Sequence, residues 1–404
     1  MLQLDMYASA GVGVLALLLG MVLTGRIPFL KRFCIPAPVS GGLLVSLLTL
    51  LLYSAFGLEC QFDGTVKDLC MMLFFTSVGF QSDIRAIRKG GKPLLVMVAL
   101  VAALIVTQNL ISVGLAKGLK MSPLFGMAAG SIPMSGGHGT SGGFSPLLEQ
   151  MGLKGASSIT MAAATFGLVA GSLLGGPLGE ALIRRNRLSD LSAQSDVMAS
   201  VETTPSRKEG MESEAAAYRK YLKAACVLLV TVALGTGLSR LLALTGITFP
   251  TYFGALITAC ILRNLFGLSP KWEKELSVGE VVGIGDICLQ LFLGMAMASL
   301  RLWELAYLAL PLTLILLAQV GFMALFGAFA AFPMLGRNYN SAVLVSGLCG
   351  FGLGATPNAM ANMSAVCYKY RYTAEPFIII PIIGAMFADL INTGVITLFL
   401  NLIR

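Results

Sequence analysis

Ten stretches of this 404-residue chain are apolar over lengths close to the thickness of a bilayer, and no other feature constrains its fold as tightly. A helix needs about 20 residues to cross roughly 30 Å of hydrocarbon. Runs near 6–25, 36–57, 93–116, 157–183, 221–244, 250–268, 304–332 and 375–400 are long enough, and two near 69–82 and 284–300 are shorter. Lipid offers no partner to backbone N–H and C=O groups, so spans of this length fold as helices. Composition agrees, because 56% hydrophobic and 12% charged side chains leave too little polarity to cover a water-facing surface. A cytosolic enzyme, a disordered chain and a nucleic-acid binder are thereby excluded.

The formal charge of +8 reflects topology. With the N-terminus outside and ten spans threaded, 21 of the 28 Lys and Arg residues fall in cytoplasmic loops, the bias expected of a membrane protein. Both termini are therefore expected outside. The first apolar run continues from Met6 to Thr24 without a preceding basic region, so it reads as a span and not as a cleaved leader. Between Arg184 and Lys220, 13 of 37 residues are charged, which reads as a flexible cytoplasmic linker. The eight cysteines have no CxxC spacing and lie mostly in apolar runs, so they read as buried small apolar residues.

The two halves echo each other. Pro38-x-x-x-Gly42-Leu43-Leu44-Val45 matches Pro250-x-x-x-Gly254-Ala255-Leu256-Ile257; Asp68-Leu69-Cys70-x-x-x-Phe74 matches Asp286-Ile287-Cys288-x-x-x-Phe292; Gly137-His138-Gly139 stands opposite Gly352-Leu353-Gly354. The order is conserved and the offset is close to 215 residues each time. Five spans per half make the second copy enter from the opposite side. The expected architecture is an all-α polytopic membrane protein of two inverted repeats of about five transmembrane helices, 1–183 and 221–404, joined by the 184–220 linker.

Two further apolar stretches, about 123–147 and 341–363, are broken by glycine and proline and read as re-entrant hairpins. The first contains Gly130-Ser131-Ile132-Pro133-Met134-Ser135-Gly136-Gly137-His138-Gly139-Thr140-Ser141-Gly142-Gly143. The second runs from Ser346 to Asn362 through Gly350, Gly352, Gly354 and Pro357. Each glycine costs a helix about 1 kcal/mol and proline about 3, so unwound backbone is expected beside hydroxyls and amides. Tight helix crossing is the plainer role of such glycines, but the density of polar neighbours favours a ligand site, with helix N-termini for an anion and freed carbonyls for a cation. His138, the only histidine, is either a proton carrier or ligand contact, or a neutral imidazole that shapes its loop. Asp389 sits in the last span with Asn392 one turn on, an intramembrane pair of hard oxygen ligands suited to sodium. Gln108, Asn109, Thr165 and Gln319 carry weaker signals, since each equally fits interhelical hydrogen bonding. No nucleophile elbow, HExxH or phosphate loop occurs, so no enzyme is expected and any pumping draws on an ion gradient.

Ser135-Gly136-Gly137-His138-Gly139-Thr140, Cys349-Gly350-Phe351-Gly352-Leu353-Gly354-Ala355-Thr356-Pro357, Pro36-x-Pro38-Val39-x-Gly41-Gly42-Leu43 and Leu302-Trp303-Glu304-Leu305-Ala306 together resemble the bacterial sodium/glutamate symporter family. The resemblance covers nearly the whole chain apart from the linker, and departs at Pro133, where a hydroxyl residue is expected. It implies co-transport of L-glutamate with sodium ions into the cytoplasm by a homodimer of the inner membrane, without a cofactor or a nucleic-acid partner. It also implies a scaffold domain that holds the dimer in the lipid, and an elevator-type transport domain that carries both hairpins, as in the similarly folded 2-hydroxycarboxylate transporters. The substrate contacts expected are Ser135, Gly136, Gly137, His138, Gly139, Thr140, Gly352, Gly354, Thr356, Asn358 and Asn362. The sodium ligands expected are Asp389, Asn392, Thr165 and Asn109. The residues themselves leave open a sodium- or proton-coupled carrier of another dicarboxylate or amino acid and, in a different class, a channel or membrane scaffold.

Overall fold

The computed structural model describes residues 2–188, 214–245, 248–269, 276–305 and 308–403. Most of the 184–220 linker therefore lies outside the described residues, although helices run into it from both sides. Among the described residues, eight helices are long and apolar enough to cross a membrane. They are α1 (Met6–Arg26), α3 (Ala37–Phe56), α5 (Arg85–Gly118), α9 (Ala156–Arg185), α10 (Glu214–Ala243), α12 (Val278–Ala298), α13 (Ala309–Met334) and α16 (Glu375–Ile403). A short α2 (Pro28–Arg32) follows α1; α4 (Thr65–Gln81) and α11 (Phe253–Phe266) are two shorter helices. The hairpins are α6 (Pro123–Ala128), α7 (Ser131–Met134) and α8 (Gly137–Gln150) in the first half, then α14 (Tyr339–Gly352) and α15 (Thr356–Lys369) in the second. The described residues are thus mostly helical, and the chain is a multi-pass membrane protein.

Several helix ends differ from the sequence reading, and two show why. The helix expected over 250–268 starts only at Phe253 and ends at Phe266, because Pro250 and the turn after it delay it and Gly267 closes it. The span expected from 284 begins at Val278, since its first turns alternate glycine, valine and Glu280 without breaking the helix. A small parallel ribbon, β1 (Leu2–Leu4) with β2 (Cys60–Phe62), is the only sheet among the described residues. Asp5 separates β1 from α1 and caps the helix by accepting from the Ala8 N–H at 2.7 Å. Cys70, Cys288, Cys349 and Cys367 are buried as expected and Cys34, Cys60 and Cys260 partly so, but Cys226 is exposed on α10, where a weakly polar thiol suits lipid.

The helices pack into two groups. In the first, α4 packs on α12 and α11, α1 on α3 and α12, and α10 on α11. In the second, α9 packs on α8, α14, α15 and α13, with α5 against α6 and α16. The groups meet where α8 touches α12 and where α4 touches α16. Polar contacts sort the loops to two ends. At one end Asp83 pairs with Arg85 and Arg263, Glu180 with Lys369, and Asn340 with Glu375. At the other, Arg301 pairs with Glu59 and Glu304, and Asn401 bonds the backbone of Thr248. The base of the first hairpin lies at the second of these ends and the base of the other hairpin at the first.

Two long helices carry π turns, Phe326–Ala331 in α13 and Ile383–Ala388 in α16. A π turn takes a carbonyl out of the regular ladder. In α16 the Met386 carbonyl, within the π turn, accepts from the Ser82 hydroxyl at 3.2 Å, a bond between the two groups.

Candidate functional site

The first hairpin breaks at Gly130 because another helix supplies what the backbone lacks there. Asn109 on α5 accepts from the Ser131 N–H at 2.9 Å and donates to the Ser131 hydroxyl at 2.9 Å. Its tip is the Ser135–Gly136–Gly137 link between α7 and α8. Gly137 has φ +60°, a conformation that costs other residues roughly 1–2 kcal/mol. A Cβ on Gly136 would stand 2.5 Å from the Thr140 hydroxyl and 2.6 Å from Asn392 Nδ2, so only glycine lets α8 and α16 approach here.

The second hairpin starts from a capping box, in which the Asn338 side chain accepts from the Ser341 N–H at 2.8 Å and the Ser341 hydroxyl accepts from the Asn338 N–H at 3.3 Å. Its tip, Leu353–Ala355, is followed by Thr356-Pro357, which opens α15 with extended backbone at Ala355.

The tips meet. Gln108 of α5, fully buried, donates from Nε2 to the Gly352 carbonyl at 2.7 Å and accepts at Oε1 from the Ser135 hydroxyl at 2.6 Å. Ser135 also lies 3.4 Å from the Gly352 carbonyl, and a Cβ on Gly137 would be 2.9 Å from the Gly354 carbonyl. Gln319 of α13 donates to the backbone carbonyl of Gln108 at 2.7 Å. Beside this contact, Asn392 donates to the Ser131 carbonyl at 3.1 Å. The Asn392 carbonyl oxygen and the Thr140 hydroxyl are buried without a partner among the described residues. Buried polar atoms left in that condition each cost about 1–3 kcal/mol, and these two flank Gly136.

The other expected residues occupy the margins. His138 Nε2 lies 3.0 Å from the Thr165 hydroxyl, whose own proton goes to the Met161 carbonyl at 2.9 Å. That network assigns the Nε2–H tautomer and leaves Nδ1 as acceptor. Thr165 is therefore paired with His138 and not with Asn392. Gly139 faces Phe74 and Leu289 of the first group. Asn358 donates to the Leu168 carbonyl at 2.8 Å and keeps an unpartnered Oδ1, while Asn362 donates to the Gly171 carbonyl at 2.9 Å, so both brace α15 on α9. Thr356 rests against Gly384 in the π turn of α16. Asp389 follows that turn and lies near the Tyr252 hydroxyl, as does Thr393. Tyr252 carried no sequence signal, because its role depends on stacking with Phe75 at 3.6 Å and on helices distant in the chain.

The family model for the sodium/glutamate symporter matches residues 2–372. The chain belongs to the sodium/glutamate symporter family. It is 39% identical over 417 aligned residues to the sodium/glutamate symporter of Escherichia coli (strain K12), covering all of this chain and 99% of that relative. The sodium/glutamate symporter of Haemophilus influenzae is 36% identical, with 96% of each chain covered. The family consists of transporters, not enzymes, and its name gives sodium the place of a co-transported ion and not of a resident cofactor. The resemblance read from the glycine motifs is therefore correct.

Proposed function

We propose that this chain imports L-glutamate by symport with sodium ions. The observation that carries the reading is the tip-to-tip meeting of two broken hairpins, within a chain that matches the symporter family from end to end. Helix N-termini at Gly136 and Ala355 offer N–H groups to substrate carboxylates. Ser135, Gly137, Gly352 and Gly354 at the tips are the first substrate contacts in this reading, with Thr140 beside them and His138, Gly139, Thr356, Asn358 and Asn362 as further contacts at the margins. Asn392, Asn109, Asp389 and Thr165 supply oxygens for the ion, and the unpartnered Asn392 oxygen makes it the first of these.

The two halves, 1–183 and 221–404, act as inverted repeats. In support, the elements recur in the same order, and matched residues meet: Cys70 interacts with Cys288, and Gln319 bonds Gln108, 211 positions earlier. Residues equivalent by a two-fold axis touch only near that axis. The first helix group is the scaffold through which a homodimer forms in the inner membrane, and the second moves as an elevator with both termini on the periplasmic side. Uptake of labelled L-glutamate into proteoliposomes tests the function. A sodium gradient is expected to drive it while an equal potassium or proton gradient does not. Uptake indifferent to sodium would defeat the proposal, and stronger competition by malate or aspartate than by unlabelled glutamate would move it to another substrate.

A further inference from the structure

We infer that Gln108 is a positioning residue that couples the two hairpin tips, so that occupancy of one is felt by the other. This rests on the sodium-coupled reading above. The amide has two distinct ends and both are committed, the nitrogen to the second hairpin at the Gly352 carbonyl and the oxygen to the first at the Ser135 hydroxyl. A flipped amide would set its oxygen against the Gly352 carbonyl, two acceptors face to face, so the orientation is fixed by chemistry. The side chain has no exposure to solvent that would let water substitute. Its own backbone is held in turn by Gln319, so the amide stands on a fixed post between two arms that come from opposite ends of the bundle.

A ligand that draws the Gly136–Thr140 tip into one geometry therefore pulls Ser135 against Gln108, which steadies the Gly352–Gly354 tip. A ligand at the second tip acts back through the same two bonds. Coupling of this kind is reciprocal and commonly amounts to about a 5–150-fold change in affinity. In a symporter it is what prevents either solute from travelling alone.

The experiment is a cycle of Gln108→Leu, Ser135→Ala and the double variant in proteoliposomes. The glutamate KM is read at low and high sodium, together with ²²Na⁺ entry without glutamate. In the wild type, sodium is expected to lower the glutamate KM. In Ser135→Ala, and in Gln108→Leu, the ratio of KM at low to high sodium is expected to fall at least fivefold and sodium entry without glutamate to rise. The double variant is expected to be no worse than the poorer single one, and Ser135→Thr to retain coupling. Loss of a mere substrate contact would raise KM equally at both sodium levels and leave the ratio intact. An unchanged ratio in Ser135→Ala, or single effects that multiply in the double variant, would overturn the inference. Ser135→Ala leaves the Gln108–Gly352 bond in place, so it decides the matter if Gln108→Leu does not fold. A wild type without sodium-dependent uptake would instead remove the function on which the inference stands.

Discussion

Gly137 and Asn392 show how much rests on single residues at the hairpin meeting point. Gly137→Ala is expected to strain the tip by roughly 1–2 kcal/mol through its positive φ and to press on the Gly354 carbonyl, lowering the maximal uptake rate about tenfold while the protein stays monodisperse. Uptake at the wild-type rate would show that the tip relaxes elsewhere. Asn392→Ala removes the donor to the Ser131 carbonyl and the unpartnered oxygen together. The expected result is a several-fold rise in the sodium concentration that half-saturates uptake, with a loss of about 1–3 kcal/mol in unfolding experiments. The glycines of both tips were legible in the sequence because their density, beside proline and hydroxyl residues, makes an unbroken helix costly. Gln108 and Asn109 carried no such contradiction, since an amide in an apolar helix fits any interhelical bond. The partner of Gln108 is a carbonyl 244 residues away, which local pattern does not reveal.

Helix ends, more than helix middles, separated reading from structure at the level of elements. The eight spans, the two shorter helices and both broken stretches were visible as apolar runs, yet α11 is shorter and α12 longer than their runs. The π turns had no sequence signal, and the one in α16 makes a contact remote in sequence, from the Met386 carbonyl to Ser82. The end of α4 is also set by tertiary contact. Asp83, outside the spans, accepts from Arg85 at 2.7 and 2.9 Å and from Arg263 at 2.9 Å, and these guanidiniums hold its carboxyl below the usual carboxylate range. A group depressed in this way adds stability above its unfolded value and loses it as pH falls through the folded value. Asp83→Asn is therefore expected to lower the thermal unfolding temperature at pH 7, with the difference from the wild type closing at acid pH. A difference that stays constant down to pH 3 would show that geometry and not charge holds this corner.

The division into two helix groups emerges only at the scale of the whole molecule. The sequence points to a repeat and its offset, which remains the proposal made above, but which helices pack together depends on faces that all look apolar, and lipid-facing and helix-facing leucines cannot be told apart in one chain. The bond from Ser82 to Met386 crosses the division and gives it a test. Cysteines introduced at both positions and bridged by mercuric ion are expected to arrest uptake reversibly while glutamate still protects the protein thermally. Full uptake with the bridge in place would mean that the two groups do not move past each other there. The π turn of α16 adds a constraint on how such a chain evolves. It holds a surplus residue, and an α-helix advances about 100° per residue. Deleting one position from 383–388 would restore a straight ladder and swing Asp389, Asn392 and Thr393 about a quarter turn from their partners. Among relatives, a one-residue gap in this stretch would therefore carry the oxygens of Asp389, Asn392 and Thr393 away from their present neighbours without altering any of those side chains.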